Sequence, residues 1–103
     1  DIDVFLEEPP EKFSLLPGFD AIQDAGKTGS VYDLFISLDC ADKVRLGKAA
    51  RLFDSAAHTV CIDHHISNQG FAGINLVVPD ASSTSEVITL MASRQLRARC
   101  SAT

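Results

Sequence analysis

Thr59-Val60-Cys61-Ile62-Asp63-His64-His65 is the stretch on which the reading of this chain turns. Residues 60–62 form a short apolar run of the kind that makes a buried strand, and it gives way at once to an acid and two imidazoles. In open parallel sheets ligands gather just beyond the carboxyl ends of strands, so Asp-His-His at such a junction stands where a site is expected. Its carboxylate oxygens and ring nitrogens all belong to groups that bind divalent metals. As a bare tripeptide it is equally well read as a turn-capping acid beside one packed and one solvated imidazole.

A second junction of the same kind lies upstream. Residues 31–38 are another apolar run, rich in β-branched and aromatic side chains, with Asp33 inside it, Asp39 at its end and Cys40-Ala41-Asp42 following. Such a run suits a sheet covered on both faces. Two strands ending in metal-capable side chains, about 25 residues apart with a helix-sized segment between them, describe a βαβ unit with both sets of ligands on one edge. Asp39 is the stronger candidate of the two acids, because a carboxylate at a strand end faces the cleft.

Phe35-Ile36-Ser37-Leu38-Asp39, then Val60-Cys61-Ile62-Asp63-His64-His65, then Pro79-Asp80-Ala81-Ser82-Ser83-Thr84-Ser85-Glu86 follow one another in the order and spacing of the DHH phosphoesterase superfamily, which the chain resembles. The leading Leu6-Glu7-Glu8-Pro9-Pro10-Glu11-Lys12-Phe13-Ser14-Leu15-Leu16-Pro17-Gly18 is similar to its bacterial oligoribonuclease and phosphoadenosine-phosphate phosphatase branch. The resemblance implies a parallel-sheet α/β domain of which residues 1–103 are an incomplete part. The first strand and helix, carrying a His and an Asp-x-Asp pair, are expected upstream, and a further aspartate and a C-terminal substrate-binding domain downstream. It also implies two Mn²⁺ (or Mg²⁺) ions, with Asp39 bridging them, His64 binding one, and His65 beside the substrate phosphate. Asp63 would orient an imidazole from behind, which places Asp63 and His65 in the catalytic group. The implied reaction is hydrolysis of short single-stranded RNA or DNA, or of nucleotide 3′,5′-bisphosphates. Cyclic dinucleotides and inorganic pyrophosphate are the alternatives within the superfamily. With only part of the ligand set, the chain alone is expected to bind metal weakly and turn over little. Two readings stand outside the family's chemistry: a non-catalytic α/β nucleotide-binding or interaction module, and zinc-dependent hydrolysis using Cys40 with the His pair.

Composition narrows the classes. At 103 residues, 46% hydrophobic and 22% charged, the chain reads as one globular domain or a piece of one rather than a disordered segment. A net charge of −5 argues against affinity drawn from a broad basic surface on duplex nucleic acid, yet leaves phosphate chemistry open, because bound cations supply positive charge locally. Three cysteines, at 40, 61 and 100, suggest neither a disulfide framework nor a zinc knuckle and fit a reducing cytoplasm. No apolar run is long enough for a membrane span.

Along the chain, Ile2, Val4 and Leu6 read as a short strand stopped by Pro9-Pro10, residues 11–16 as a helical turn, and Phe13, Leu15, Leu16 and Phe19 as core contacts. Residues 24–30 read as a loop whose Gly-Lys-Thr lacks the Walker spacing. Asp42 is expected to cap a helix running to about residue 55, with Leu46, Ala50 and Phe53 inward and Lys43, Arg45, Lys48 and Arg51 on the other faces. Gly70 marks a position suited to positive φ, and residues 73–78 contain another strand. Ser83-Thr84-Ser85-Glu86 fits a capping box, followed by a buried stripe of Val87, Leu90 and Met91. Ser82, Ser83 and Thr84, at that helix start, are candidates to receive phosphate oxygens. Residues 94–103 lose the apolar period and are expected to fray or to be a non-native tail. The whole assembles as about four parallel strands with helices packed on them, and sheet surface left uncovered favours self-association into a homo-oligomer.

Overall fold

The computed structural model describes residues 1–101. Its centre is an all-parallel sheet of three strands in the order β3-β4-β5, with β3 Leu34–Leu38, β4 His58–Asp63 and β5 Ile74–Val77. The expectation of four strands in one sheet is corrected. The leading segment makes its own two-stranded parallel sheet, β1 Val4–Phe5 beside β2 Ile22–Gln23. Parallel strands cannot be joined by tight hairpins, and the β3 to β4 connection supplies the required crossover as a helical segment.

Residues in register on parallel strands share a face. Phe35, Ser37, Thr59, Cys61, Asp63, Asn75 and Val77 therefore lie on one side of the sheet, and Leu34, Ile36, Leu38, Val60, Ile62, Ile74 and Leu76 on the other. The first side meets the crossover. Phe53 stacks edge-on against Phe35 with ring centroids 5.5 Å apart, and Phe71 lies at the same distance on the other flank of Phe53. Leu46, Leu52, Phe53 and Cys61 are buried here. The second side is bare over much of its area: Ile62 on the central strand is buried, while Leu34, Ile36, Leu38 and Ile74 are about half exposed or more. Residues 31–38 thus do not form a strand covered on both faces. The apolar pattern that predicts two covers is present, and within the described residues the cover of the second side is partial.

The crossover departs from the single helix expected over residues 42–55. Asp42 does cap its start, accepting the Arg45 backbone N–H at 3.2 Å. A 3-10 helix over Lys43–Ala49 follows, interrupted at Gly47 (φ 54°, ψ −127°), and only Ala50–Ser55 (α1) is α-helical. Those dihedrals are open to glycine and strained for any residue with a Cβ. The Glu7 carboxylate occupies the space a Cβ on Gly47 would fill and accepts the Lys48 N–H at 3.3 Å, tying the leading segment to the crossover. Leu46 and Phe53 are buried as expected, and Leu52, which helical periodicity alone does not mark, is 1% exposed beside them.

Phe13, Leu15 and Leu16 are exposed and Phe19 is half-buried, contrary to their assignment as core contacts. They sit on short 3-10 turns above a sheet of only two residues per strand, which offers too little surface to bury them. Phe13, Leu16 and Phe19 instead line an apolar cleft of about 440 Å³ together with Val4, Leu6 and Ile22. At the other end, α2 spans Thr84–Ser101, so its backbone continues as helix through residues expected to fray; residues 102–103 of that expectation lie outside the described residues. α2 packs on β4, and Val87 is buried, but Leu90 and Met91, expected beside it, are about half exposed. The start is capped differently from a reciprocal box. Ser83 Oγ accepts the Glu86 N–H at 3.2 Å, while the Glu86 carboxylate receives the Ser82 hydroxyl at 2.5 Å.

Candidate metal centre

The ends of β3 and β4 lie side by side, and their last residues carry the site. The ladder extends one step past β3, where the Asp39 N–H donates to Ile62 O at 3.0 Å. Asp39 itself has φ 64°, the left-handed region that aspartate tolerates better than most residues with a side chain. Its Oδ1 lies 3.4 Å from His64 Nε2 and 3.9 Å from His65 Nδ1, and it accepts the Thr84 hydroxyl at 2.8 Å. The first turn of α2 thereby touches the acid at the end of β3.

Asp63 is fully buried and every one of its contacts stabilises charge. Oδ1 accepts the His64 N–H at 2.8 Å and faces His65 Nδ1 at 2.6 Å, and Oδ2 accepts the Asn68 side-chain amide at 2.8 Å. Burial alone opposes ionisation. The bonds from Asn68 and His65 and from the His64 and His65 backbone outweigh it and hold this carboxyl below its ordinary range.

The hydrogen-bond partners also assign the ring protons. His65 Nδ1 faces an ionised carboxylate and so carries a proton, which leaves Nε2 with its lone pair. His64 Nδ1 lies 3.3 Å from the Ala81 carbonyl oxygen and must likewise be the protonated nitrogen, so the His64 lone pair is on Nε2, toward Asp39 Oδ1. A proton or a metal ion between those two atoms turns their 3.4 Å contact from repulsion into attraction. One ligand atom from each of Asp39, His64 and His65 falls within 4.8 Å of the others, close to the spread of donors around a single ion. The clustered imidazole and carboxylate donors fit a divalent metal.

The structure brings Asp39, Asp63, His64, His65 and Thr84 together. Ser82 and Ser83 lie between Ala81, which meets His64, and Thr84, with their hydroxyls engaged at the start of α2. Cys40 stays outside the group: its thiol is directed at the Leu38 carbonyl at 3.6 Å, which removes the basis for a zinc site built on it. The neighbouring Cys61 thiol is raised above its usual range chiefly by burial, as suits an inert core side chain. Sequence reasoning missed Asn68, which it left in a polar loop. The available signal was a short amide side chain five positions after Asp63 and two before Gly70 (φ 64°), the pattern of a turn folded back on itself.

An α/β sheet whose adjacent strand ends present acid and imidazole to one point is the arrangement of a metal-binding domain. The family model described as "DHH family, N-terminal domain" matches residues 2–102, and the chain belongs to that family, whose members are metal-dependent phosphoesterases. An exopolyphosphatase-related protein from Bacteroides fragilis has a similar crystal structure, with a TM-score of 0.74 and 22% identity. The match covers 89% of this chain and 30% of that one, and at this identity the likeness is one of fold.

Proposed function

We propose that the protein carrying this chain is a Mn²⁺-dependent phosphodiesterase or phosphatase that hydrolyses short single-stranded oligonucleotides, nucleotide 3′,5′-bisphosphates or both. The observation that carries this reading is the convergence of Asp39, His64 and His65 within 4.8 Å at the carboxyl ends of two adjacent parallel strands. Asp39 and His64 would hold the metal, with the His65 ring beside them. Divalent ions bound there supply positive charge against the phosphoryl oxygens and an activated water, as in two-metal hydrolysis generally. Asp63 fixes the His65 ring through its Nδ1 proton and keeps the opposite nitrogen available. Thr84 shares the Asp39 carboxylate and so couples the start of α2 to the metal side of the cleft. Ser82 and Ser83 are held for the phosphate end of the substrate, and their hydroxyls would have to exchange present partners to reach it.

The preference for short nucleic acid or nucleotide bisphosphate over cyclic dinucleotides or pyrophosphate rests on the likeness of the leading Leu6 to Gly18 segment to the oligoribonuclease branch. A cytoplasmic setting accords with the free thiols of Cys40 and Cys61, and no described helix is long and apolar enough to cross a membrane. Association of two copies through the bare side of the β3-β4-β5 sheet belongs to the same proposal. The test is hydrolysis of RNA di- to pentanucleotides and of adenosine 3′,5′-bisphosphate by the purified protein with and without Mn²⁺. Asp39→Asn abolishes turnover on this reading. Undiminished activity after chelation, or in that variant, refutes it.

A further inference from the structure

Asn68 lies on the loop after β4, in a stretch to which neither the family match nor the metal-ligand set assigns a task. Its side-chain amide nitrogen lies 2.8 Å from Asp63 Oδ2, 3.3 Å from the Cys40 carbonyl oxygen and 3.6 Å from Cys61 Sγ. Its Oδ1 accepts the Gly70 N–H at 2.8 Å. A primary amide has two N–H groups, and here the two strong acceptors belong to different strand ends. Asp63 closes β4, and Cys40 is the residue after Asp39 at the exit of β3.

We infer that Asn68 is a positioning residue for the metal centre, clamping the exits of β3 and β4 at a fixed separation so that Asp39 and the two imidazoles meet. Holding the Cys40 carbonyl fixes the Cys40–Ala41 peptide, one residue beyond Asp39, and so restrains the chain where it leaves the left-handed backbone of Asp39. Donating to Asp63 Oδ2 divides the work of that carboxylate: Oδ2 serves the clamp, and Oδ1 is left for His65 and the His64 N–H. The bond to Gly70 returns the amide's own oxygen to the loop, so the side chain cannot swing without losing all its contacts at once. Aspartate has the same shape but no amide donor and would set a second carboxylate against Asp63. Serine offers one donor where two are needed. Glutamine carries the amide one methylene too far.

This inference rests on the metal site proposed above, and its test separates the two. The full chain is compared with Asn68→Asp, Asp39→Asn and the exposed loop control Ser67→Ala. Mn²⁺ affinity is read from the electron paramagnetic resonance signal of free aqueous Mn²⁺, and the ring nitrogens of His65 are read by NMR on metal-free protein. Asn68→Asp is expected to weaken Mn²⁺ binding about tenfold or more, the effect typical of removing a group that orients a metal ligand. It is also expected to shift the His65 ring signals, with Ser67→Ala unchanged in both. Loss of Mn²⁺ binding in Asp39→Asn but not in Asn68→Asp, with unmoved ring signals, overturns the clamp and leaves the metal reading standing. Mn²⁺ binding indifferent to Asp39→Asn overturns the metal reading, and the His65 signals then still decide the clamp. Should Asn68→Asp fail to fold, the wild-type protein answers: the Asn68 amide protons must be resolved and slow to exchange with solvent, and rapid exchange refutes the clamp.

Discussion

Replacing Gly47 with alanine probes the join between the leading segment and the crossover. At φ 54° and ψ −127° an alanine pays a backbone cost of about 1–3 kcal/mol. Its Cβ would overlap the Glu7 carboxylate, which is the free end of a flexible side chain and can swing away, but only by releasing the Lys48 N–H. That exposed hydrogen bond contributes about 0.5–1.5 kcal/mol. The sum is about 1.5–4.5 kcal/mol. For a domain of roughly 100 residues each kcal/mol lowers the melting temperature by about 4–8 °C, so a fall of about 6–36 °C is expected. Urea unfolding of Gly47→Ala, Glu7→Ala and the double variant tests the partition. In the Glu7→Ala background the hydrogen bond is already gone, so Gly47→Ala should then cost only the backbone component. A loss below about 0.5 kcal/mol in Gly47→Ala, or the same cost in both backgrounds, would refute the account given of this kink.

Asp63 predicts the acid limb of stability. Its carboxyl is held below the ordinary range in the folded chain, so its contribution is present above the unfolded-state value near 3.9 and is lost as pH falls through the depressed folded value. Unfolding midpoints measured from pH 7 downward should therefore stay level through the weakly acidic range and drop below it, with a shallower drop in Asp63→Asn; equal slopes in the two proteins contradict this. Thr84→Val removes the hydroxyl donated to Asp39 while keeping the volume, and is expected to weaken Mn²⁺ binding about tenfold at a stability cost of about 1 kcal/mol, by calorimetric titration and urea unfolding respectively.

What the sequence disclosed depended on how far each feature was local. Asp39, Asp63, His64 and His65 announce themselves because an apolar run stopping at a polar cluster is visible within a few residues, and parallel strands must end on a common edge. Asn68 is invisible by that route, since its value lies in reaching Cys40, 28 positions back, and nothing in residues 66–71 names that partner. Gly47 was hidden differently. A single glycine within a helical pattern is usually tolerated, and only the Glu7 carboxylate, 41 positions away from Lys48, accounts for the break. The misplaced core residues share a third cause. Phe13, Leu15, Leu90 and Met91 are apolar, and the pattern says that they want burial without saying what is there to bury them.

The left-handed backbone at Asp39 restricts which residues heredity can offer at that place. Glycine keeps the turn and loses the oxygen donor; asparagine keeps both the turn and the shape and loses the charge; glutamate keeps the charge but is a longer side chain of a kind less tolerant of this backbone conformation. Aspartate alone satisfies chain geometry and ligand chemistry together. A saturation library at position 39 should therefore rank its members in two nested ways: glycine, asparagine and aspartate cost stability least, and among these three aspartate alone holds metal.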